Sequence, residues 1–376
     1  MQRIDHPLLA SSLGSQKALT SFHFGTKGRA PKIYLQASLH AEELPGMLVA
    51  HHLRSLLEAA DAAGRVRGEI VLVPLANPIG LAQRLNHKAM GRFELNSAEN
   101  FNRHYPALAK VIEPGLRDAL GPDAVANVAL VRQAIGTYLD KWQPASELQS
   151  LRRSLLLLAH DADYVLDLHC DSESVMHFYT EDNCWPQLAP LARWLGSEAI
   201  LLARSSGAWS FDECLSGVWW QLADALTLAG RRVPLPQACC STTIELRGEA
   251  DVSHVTAQAD AKAIFSWLQH VQALACERAP EVPAPKCQPT PLAGSETLTA
   301  RGPGLVVFAA EVGSVLQVGD LVAEVIDPIV GETQCVLAGV AGVFYARIRE
   351  RYVHAGGEIG KIAGATAFRS GALLGA

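Results

Sequence analysis

Residues 32–57 read KIYLQASLHAEELPGMLVAHHLRSLL and pass from a strand pattern to a helix pattern. Lys32–Ala37 is a short apolar run of strand length, whereas residues 45–57 carry apolar side chains at helical spacing. Between them, His40 and Glu43 stand three residues apart, just beyond the end of the strand. Ligands of α/β proteins collect at the carboxyl ends of strands, so these two residues are the first candidates for a functional site.

Other strand-like runs follow along the chain, at residues 69–74, 163–168 and 241–246, and the stretch 106–161 is helical in pattern. Strands that alternate with helices predict an α/β fold with a mixed, mostly parallel sheet and flanking helices.

Two short patterns predict where helices begin. Ser146 is followed by Gln149, and Ser210 is followed by Glu213, each ahead of an apolar-periodic run. In such a capping box the two side chains bond to each other's backbone N–H groups. We therefore expect helices to open at both positions.

A proline-rich stretch divides the chain. Residues 281–295 contain four prolines and predict a semi-rigid linker between an N-terminal domain, residues 1–280, and a C-terminal domain, residues 296–376. Short strands separated by glycine-containing turns predict that the second domain is a small all-β barrel-sandwich. It resembles biotinyl/lipoyl domains, but the hairpin at 325–332 has no lysine to modify. We expect it to be a structural cover or the contact of a homo-oligomer.

Composition narrows the class of protein. The net charge is −6 over 376 residues and no Lys/Arg block is present, so a nucleic-acid partner is not expected. No apolar run reaches the about 20 residues that span a membrane, and the N-terminus lacks a secretory pattern. The eight cysteines show no CxxC spacing. Together these features predict a cytoplasmic protein without a membrane partner.

The residues at the strand ends suggest a catalytic metal. His169 follows the apolar strand at 163–168 and supplies a third ligand to His40 and Glu43. Two imidazoles and a carboxylate are typical of one catalytic Zn²⁺, which takes three protein ligands and keeps a position open. Glu245 lies in an otherwise apolar strand, where a carboxylate is costly unless it is used. It is the candidate general base beside a metal-activated water.

The order His40-x-x-Glu43, Asn102-Arg103, Asp167-x-His169 and Glu245 resembles the succinylglutamate desuccinylase/aspartoacylase family, which is related to zinc carboxypeptidases. The resemblance covers about residues 30–270. It implies a zinc carboxypeptidase-like fold and a hydrolase in which the same three residues bind zinc and Glu245 acts as base and then acid.

The resemblance also implies the substrate-binding residues. Asn102 and Arg103 match a pair that grips the substrate carboxylate, a task that suits the guanidinium fork. Arg92 is the candidate for a second cation, with Arg84 as its competitor.

A hydrogen bond to the second ring nitrogen of a ligand histidine is expected from Asn100 or from Asp167. Relatives commonly carry Asp where this chain has Asn100, which makes the ligand histidine less basic here. Arg247 is a further departure that adds a positive charge near the substrate. Both departures bear on the identity of the substrate.

The sequence therefore predicts a metal-binding zinc hydrolase that deacylates a small N-acyl amino acid. The alternatives are a zinc carboxypeptidase or peptide amidase with the same metal, and a catalytically inactive binding protein on the same fold.

Overall fold

The computed structural model describes residues 1–375, and its largest element is a nine-stranded mixed sheet. The strand Lys32–Ala37 is buried at every position, as expected where helices cover both faces. The strands of this part of the chain are β1 (Gln2–Pro7), β2 (Ala18–Gly25), β3 (Lys32–Ala37), β4 (Glu69–Val73), β5 (Arg84–Leu85), β6 (Lys88–Ala89), β7 (Tyr164–Asp171), β8 (Glu173–Ser174), β9 (Met176–Glu181), β10 (Ala199–Ala203), β11 (Cys240–Gly248) and β12 (Thr290–Pro291).

The order across the sheet is β1-β2-β4-β3-β7-β11-β9-β10-β12. Strands β4, β3, β7 and β11 are parallel neighbours, whereas β9 runs antiparallel to β11. The carboxyl ends of β3, β7 and β11 therefore meet at one edge, which is where the sequence places its candidate residues.

Within residues 1–375, eight helices flank the sheet. They are α1 (Pro45–Ala62), α2 (Pro78–Ala82), α3 (Leu108–Leu116), α4 (Ala124–Lys141), α5 (Glu147–Ala159), α6 (Trp185–Trp194), α7 (Phe211–Leu228) and α8 (His254–His270). Helices α1, α6 and α8 pack on the face that carries Ile33 and Leu166, and α3, α4, α5 and α7 pack on the face that carries Tyr34 and Val165. Because neighbouring strand residues point to opposite faces, each strand contributes to both cores.

The C-terminal part consists of antiparallel strands, β13 (Ser295–Thr299), β14 (Gly304–Phe308), β15 (Val315–Leu316), β16 (Leu321–Asp327), β17 (Glu332–Leu337), β18 (Gly342–Arg347), β19 (Tyr352–Val353) and β20 (Glu358–Gly364). They form two sheets, ordered β13-β20-β18-β15 and β17-β16-β14-β19. Residues such as Val306, Val325, Phe344 and Ile362 fill the core of this part.

This part docks directly on the large sheet. Strand β8, which follows β7 after one residue, pairs with β18, and Glu173 bonds to Arg347 at 2.6 Å and to Arg351 at 2.8 Å. Within the predicted linker, β12 pairs with β10 and extends the large sheet. The end of β7 is thus joined to the C-terminal strands.

The predicted mixed, mostly parallel sheet with flanking helices is confirmed, and the antiparallel sheets support part of the predicted all-β architecture. Helix α5 begins as predicted, because Ser146 Oγ accepts a hydrogen bond from the Gln149 N–H at 3.1 Å. Helix α7 also begins after Ser210 as predicted, but the capping box there is wrong. Ser210 Oγ donates to Asp212 and makes no capping bond, and the Glu213 carboxylate accepts from Ser206.

Among the described residues, no helix combines the length and the apolar character that a membrane crossing requires.

Candidate metal centre and active site

The loop after β3 is held tightly over the strand ends. Ser38 adopts a left-handed conformation with φ 59°, and its Oγ donates a hydrogen bond to the Glu43 carbonyl at 2.8 Å. Gly46 opens α1 so close to the sheet that a Cβ there would lie 3.1 Å from the Cβ atoms of Ala37 and Leu168. Glycine permits this approach, which fixes His40 and Glu43 beside the end of β7.

Three donor groups converge at this point. His40 Nδ1 lies 2.9 Å from Glu43 Oε1, and His169 Nδ1 lies 2.7 Å from Glu43 Oε2. All three side chains are buried, and their ligand atoms lie within 4.8 Å of one another. They form a cluster that could bind a metal ion.

The outer nitrogens of both imidazoles face polar groups of the protein. His40 Nε2 lies 2.9 Å from Asn100 Oδ1. His169 Nε2 lies 3.1 Å from Asp167 Oδ2, although at an angle too poor for a hydrogen bond. An N–H at Nε2 would place the Nδ1 lone pairs toward the centre of the cluster, the arrangement that metal-binding histidines use.

The electrostatics of the cluster favour a cation. Burial and the Arg92 charge lower the pKa of His40 to about 4, so its ring is neutral. Burial opposes the charge on Glu43, but the two imidazoles hold the pKa of this carboxyl well below its usual range. Burial likewise opposes a charge on His169, yet Asp167 and Glu43 hold its pKa well above the ordinary value. The protonated His169 ring thus lies between the carboxylates of Glu43 and Asp167. A divalent ion can replace the proton that this ring carries.

Glu245 lies beside the cluster. It pairs in register with His169 across the parallel strands β7 and β11, so both side chains leave the sheet on the same face. Its Oε2 is buried and has no hydrogen-bond partner among the described residues. Burial and the Glu43 charge raise the pKa of Glu245 to about 8. A carboxylate with this pKa can hold or release a proton near neutral pH.

Arg92, rather than Arg84, faces the cluster. Its Nη1 lies 3.2 Å from both His40 Nδ1 and Glu43 Oε1. Gly91 lets this loop approach, because a Cβ there would lie 2.8 Å from the Ala41 carbonyl carbon. Arg84 is exposed and donates to the carbonyls of Leu81 and Gln83.

The predicted Asn102-Arg103 pair reaches the same cavity but is partly engaged by the protein. Asn102 Oδ1 accepts from the Phe211 N–H at 2.8 Å, and its Nδ2 lies 3.5 Å from His169 Nε2. Arg103 Nη2 donates to the Gly375 carbonyl at 2.6 Å, so the C-terminal segment lies against this guanidinium.

The expectation that Arg247 lies near the substrate is wrong. Its guanidinium bonds to Asp260 of α8, and the residue does not line the cavity. A positive φ of 64° at Arg247, in the irregular end of β11, accompanies this turn away from the site.

A single cavity of about 550 Å³ contains the cluster, Glu245 and both arginines. Its far wall comes from the C-terminal strands and from the last described residues, including Tyr345, Lys361 and Leu373. Lys361 Nζ bonds to Asp171 Oδ2 at 2.8 Å, which joins β20 to the end of β7.

None of these wall residues was predicted from the sequence. Asp171 could have been found, because the period of two along β7 places it on the same face as Asp167 and His169. Lys361 had no such signal, since its position depends on how two distant parts of the chain dock.

Comparisons with known proteins agree with this geometry. The sequence profile of the succinylglutamate desuccinylase/aspartoacylase catalytic domain matches residues 29–119, which include His40, Glu43 and Asn100-Phe101-Asn102-Arg103. Over these residues the chain matches the succinylglutamate desuccinylase/aspartoacylase family. The resemblance inferred from the sequence is confirmed.

Solved structures extend the likeness to nearly the whole chain. A succinylglutamate desuccinylase/aspartoacylase family protein from Shewanella amazonensis SB2B is 25% identical, with a TM-score of 0.82 over 96% of this chain and 98% of that one. Another from Shewanella frigidimarina NCIMB 400 is also 25% identical, with a TM-score of 0.83 over 96% and 97%.

A more distant structure shares the fold alone. The product-bound ectoine utilization protein EutE (DoeB) from Ruegeria pomeroyi is 16% identical, with a TM-score of 0.66 over 97% of this chain and 95% of that one. No curated protein matches the chain by sequence.

Proposed function

We propose that this chain is a zinc-dependent hydrolase that cleaves the amide bond of a small N-acyl amino acid. One observation carries the proposal: three metal-binding side chains and a buried carboxylate with a free oxygen meet at the ends of β3, β7 and β11. The names of the family and of the similar structures, which describe the removal of acyl groups, support the same class of reaction.

His40, Glu43 and His169 would hold the ion, because two neutral imidazole nitrogens and one carboxylate suit a catalytic zinc site. When bound, the ion supplies a Lewis acid that polarises the scissile carbonyl and acidifies water. Asn100 holds the orientation of the His40 ring, and Asp167 faces the outer nitrogen of His169. These contacts support the donor atoms from outside the cluster.

Glu245 would act on the proton of the attacking water. Its unpartnered Oε2 accepts that proton and then donates it to the nitrogen of the leaving amine, so one residue serves as base and as acid. The raised pKa suits both steps, because neither protonation state is strongly disfavoured near neutral pH.

Arg103 and Arg92 would bind the substrate carboxylate, and Asn102 would fix the backbone beside them. Arg103 donates Nη2 to the Gly375 carbonyl oxygen inside the cavity, which supports a carboxylate oxygen as its partner. Arg92 contacts the metal cluster and lines the same cavity.

The test combines metal analysis with a panel of N-acyl amino acids. We expect about one zinc per chain and release of a free amino acid from at least one member of the panel. Glu245→Gln should retain the metal and lose about 10²- to 10⁴-fold in kcat, since it removes a general base. Glu332→Gln, the same change at an exposed position of β17, is the matched control.

Unchanged hydrolysis by Glu245→Gln, or a chain purified without stoichiometric metal, would favour the inactive binding protein. Trimming of a peptide without hydrolysis of N-acyl amino acids would favour the carboxypeptidase.

A further inference from the structure

The charges that line the cavity are strongly unbalanced. Nine carboxylates and only four Lys or Arg side chains face it, namely Glu42, Glu43, Asp171, Glu181, Asp212, Glu213, Glu245, Glu249 and Glu358 against Arg92, Arg103, Lys361 and Arg369. One divalent ion offsets only part of the difference. Because a cavity with low-dielectric walls focuses the field of its charges, this excess acts on any ligand inside.

Two of the four cations are already engaged. Lys361 lies between Asp171, at 2.8 Å, and Glu358, at 3.3 Å. Arg369 donates to the carbonyls of Ser295, at 3.1 Å, and Leu373, at 2.8 Å. A carboxylate entering this part of the cavity would have to displace a bond that the protein makes.

The remaining two cations lie at one end of the cavity. Arg92 contacts the metal cluster, and Arg103 follows Asn102 in the adjoining loop. This end therefore provides for a single carboxylate of the substrate, and the described part of the cavity has no other uncommitted Lys or Arg.

The wall near Arg103 carries three acidic side chains. Glu181, Asp212 and Glu213 make no ion pair with any described Lys or Arg and bond only to neutral donors. Trp220 Nε1 donates to Glu181 at 3.2 Å, Thr243 Oγ1 donates to Asp212 at 3.0 Å, and Ser206 Oγ donates to Glu213 at 2.8 Å.

Burial and acidic neighbours raise the pKa of each of these three groups. Burial and the neighbouring Glu213 and Asp212 charges raise the pKa of Glu181 to about 8, and the pKa values of Asp212 and Glu213 are raised by burial and by acidic neighbours. The wall therefore holds more acidic groups than it can ionise together. A substrate ammonium would relieve this repulsion, whereas a second substrate carboxylate would increase it.

We propose that the cavity selects N-acyl amino acids whose only carboxylate is the α-carboxylate, prefers a neutral or cationic side chain, and rejects an acidic one. This inference rests on the proposed function and names its substrate class. An acidic substrate side chain is rejected because the acidic side chains of the cavity repel it. Such repulsion separates substrates of similar shape but different charge. Glu181, with Asp212 and Glu213, determines this specificity.

The experiment compares three Nα-acetyl amino acids. Nα-acetyl-glutamine and Nα-acetyl-glutamate are nearly isosteric and differ by one charge, and Nα-acetyl-lysine adds a cation. We expect kcat/KM for the glutamate compound to be at least about tenfold below that for the glutamine compound, with the lysine compound equal to or above it. Raising the salt from about 50 mM to about 500 mM should narrow the difference, because screening weakens repulsion.

Glu181→Gln tests the assignment to this wall. It keeps an acceptor for Trp220. At about pH 9, above the pKa of about 8 at which Glu181 ionises, it removes one repelling charge and should narrow the glutamine-to-glutamate ratio of kcat/KM at least about threefold, mainly through KM. Glu332→Gln should leave the ratio unchanged. A folded Glu181→Gln protein with the native ratio would overturn the role of Glu181, and a native protein that prefers the glutamate compound would overturn the proposal.

Binding separates this proposal from the proposed function. Calorimetric titration of the three compounds into the Glu245→Gln protein reports selectivity without turnover. If the order of Kd values follows the expected order but the native chain hydrolyses none of them, the charge selection stands and the hydrolase proposal fails. If the chain hydrolyses amides but the order is reversed, only the charge selection fails.

Discussion

At the scale of a single residue, Asn100 shows how one atom sets the strength of a metal site. Its Oδ1 lies against His40 Nε2 and also accepts from the Asn102 N–H at 2.8 Å, while its buried Nδ2 has no partner among the described residues. Asn100→Asp exchanges this unpaired donor for an acceptor and places a negative charge beside the ring. A more basic His40 should bind zinc about tenfold more tightly.

Competition with a chelator of known affinity measures this change. Asn86→Asp, the same substitution at an exposed turn, should leave the zinc affinity unchanged. If Asn100→Asp binds zinc no better than the native chain does, the contact with His40 does not control the metal.

Glu181 leads to a prediction about stability and pH. Burial raises its pKa from 4.5 to about 8, so between these values the folded chain holds a proton that the unfolded chain releases. The contribution of Glu181 to the free energy of unfolding is fully present below pH 4.5 and is lost as the pH rises through 8. Glu181→Gln should flatten that decline and raise the Tm at pH 8.5 by about a few degrees. Thermal unfolding from pH 5 to 9 checks it; parallel curves for the two proteins would contradict it.

At the scale of elements, the ends of β3 and β7 depend on the close packing of α1. Gly46→Ala would place a methyl group 3.1 Å from the Cβ atoms of Ala37 and Leu168, so α1 must move away. We expect a loss of about 1–3 kcal/mol in the free energy of unfolding, together with weaker zinc binding, because the His40 loop precedes this turn.

Urea unfolding and metal titration measure the two effects. Gly115→Ala is the matched control, because a Cβ at this position in α3 would meet no atom within 4 Å and alanine favours a helix. Equal loss of stability in both variants would rule out the packing explanation.

The elements also show what could be predicted from sequence. Lys32–Ala37 and its apolar neighbours were recognisable because buried parallel strands are short, apolar and β-branched. The candidate functional residues at the strand ends were also recognisable, because the polar side chains His40, His169 and Glu245 follow or interrupt apolar runs. The capping box at Ser210 did not form, because Ser210 Oγ donates to Asp212 and Glu213 accepts from Ser206, and residue spacing alone indicates neither contact.

At the scale of the whole molecule, the wall of the cavity was beyond prediction from sequence. Lys361 meets Asp171 across 190 positions of the chain, and β18 pairs with β8 over a similar separation. Local periodicity holds no information on such contacts, because they follow from how the core of the large sheet and the core of the C-terminal strands pack against each other. The charge of the site and the space inside it are therefore properties of both parts of the chain together.

Lys361 should accordingly tune the general base from the C-terminal strands. Burial and the Glu43 charge raise the pKa of Glu245, Asp171 raises it further, and the Lys361 charge opposes them. Lys361→Met removes that opposition and leaves Asp171 unpaired, so the pKa of Glu245 must rise. Since the base works when ionised, the acidic limb of the kcat/KM profile should move to higher pH by about half a unit to one unit.

Lys361→Arg keeps the charge and should restore the native profile. Because a purely structural role would lower activity at every pH alike, a Lys361→Met profile that falls without moving would contradict the coupling, and the Tm of each variant shows whether docking itself was lost.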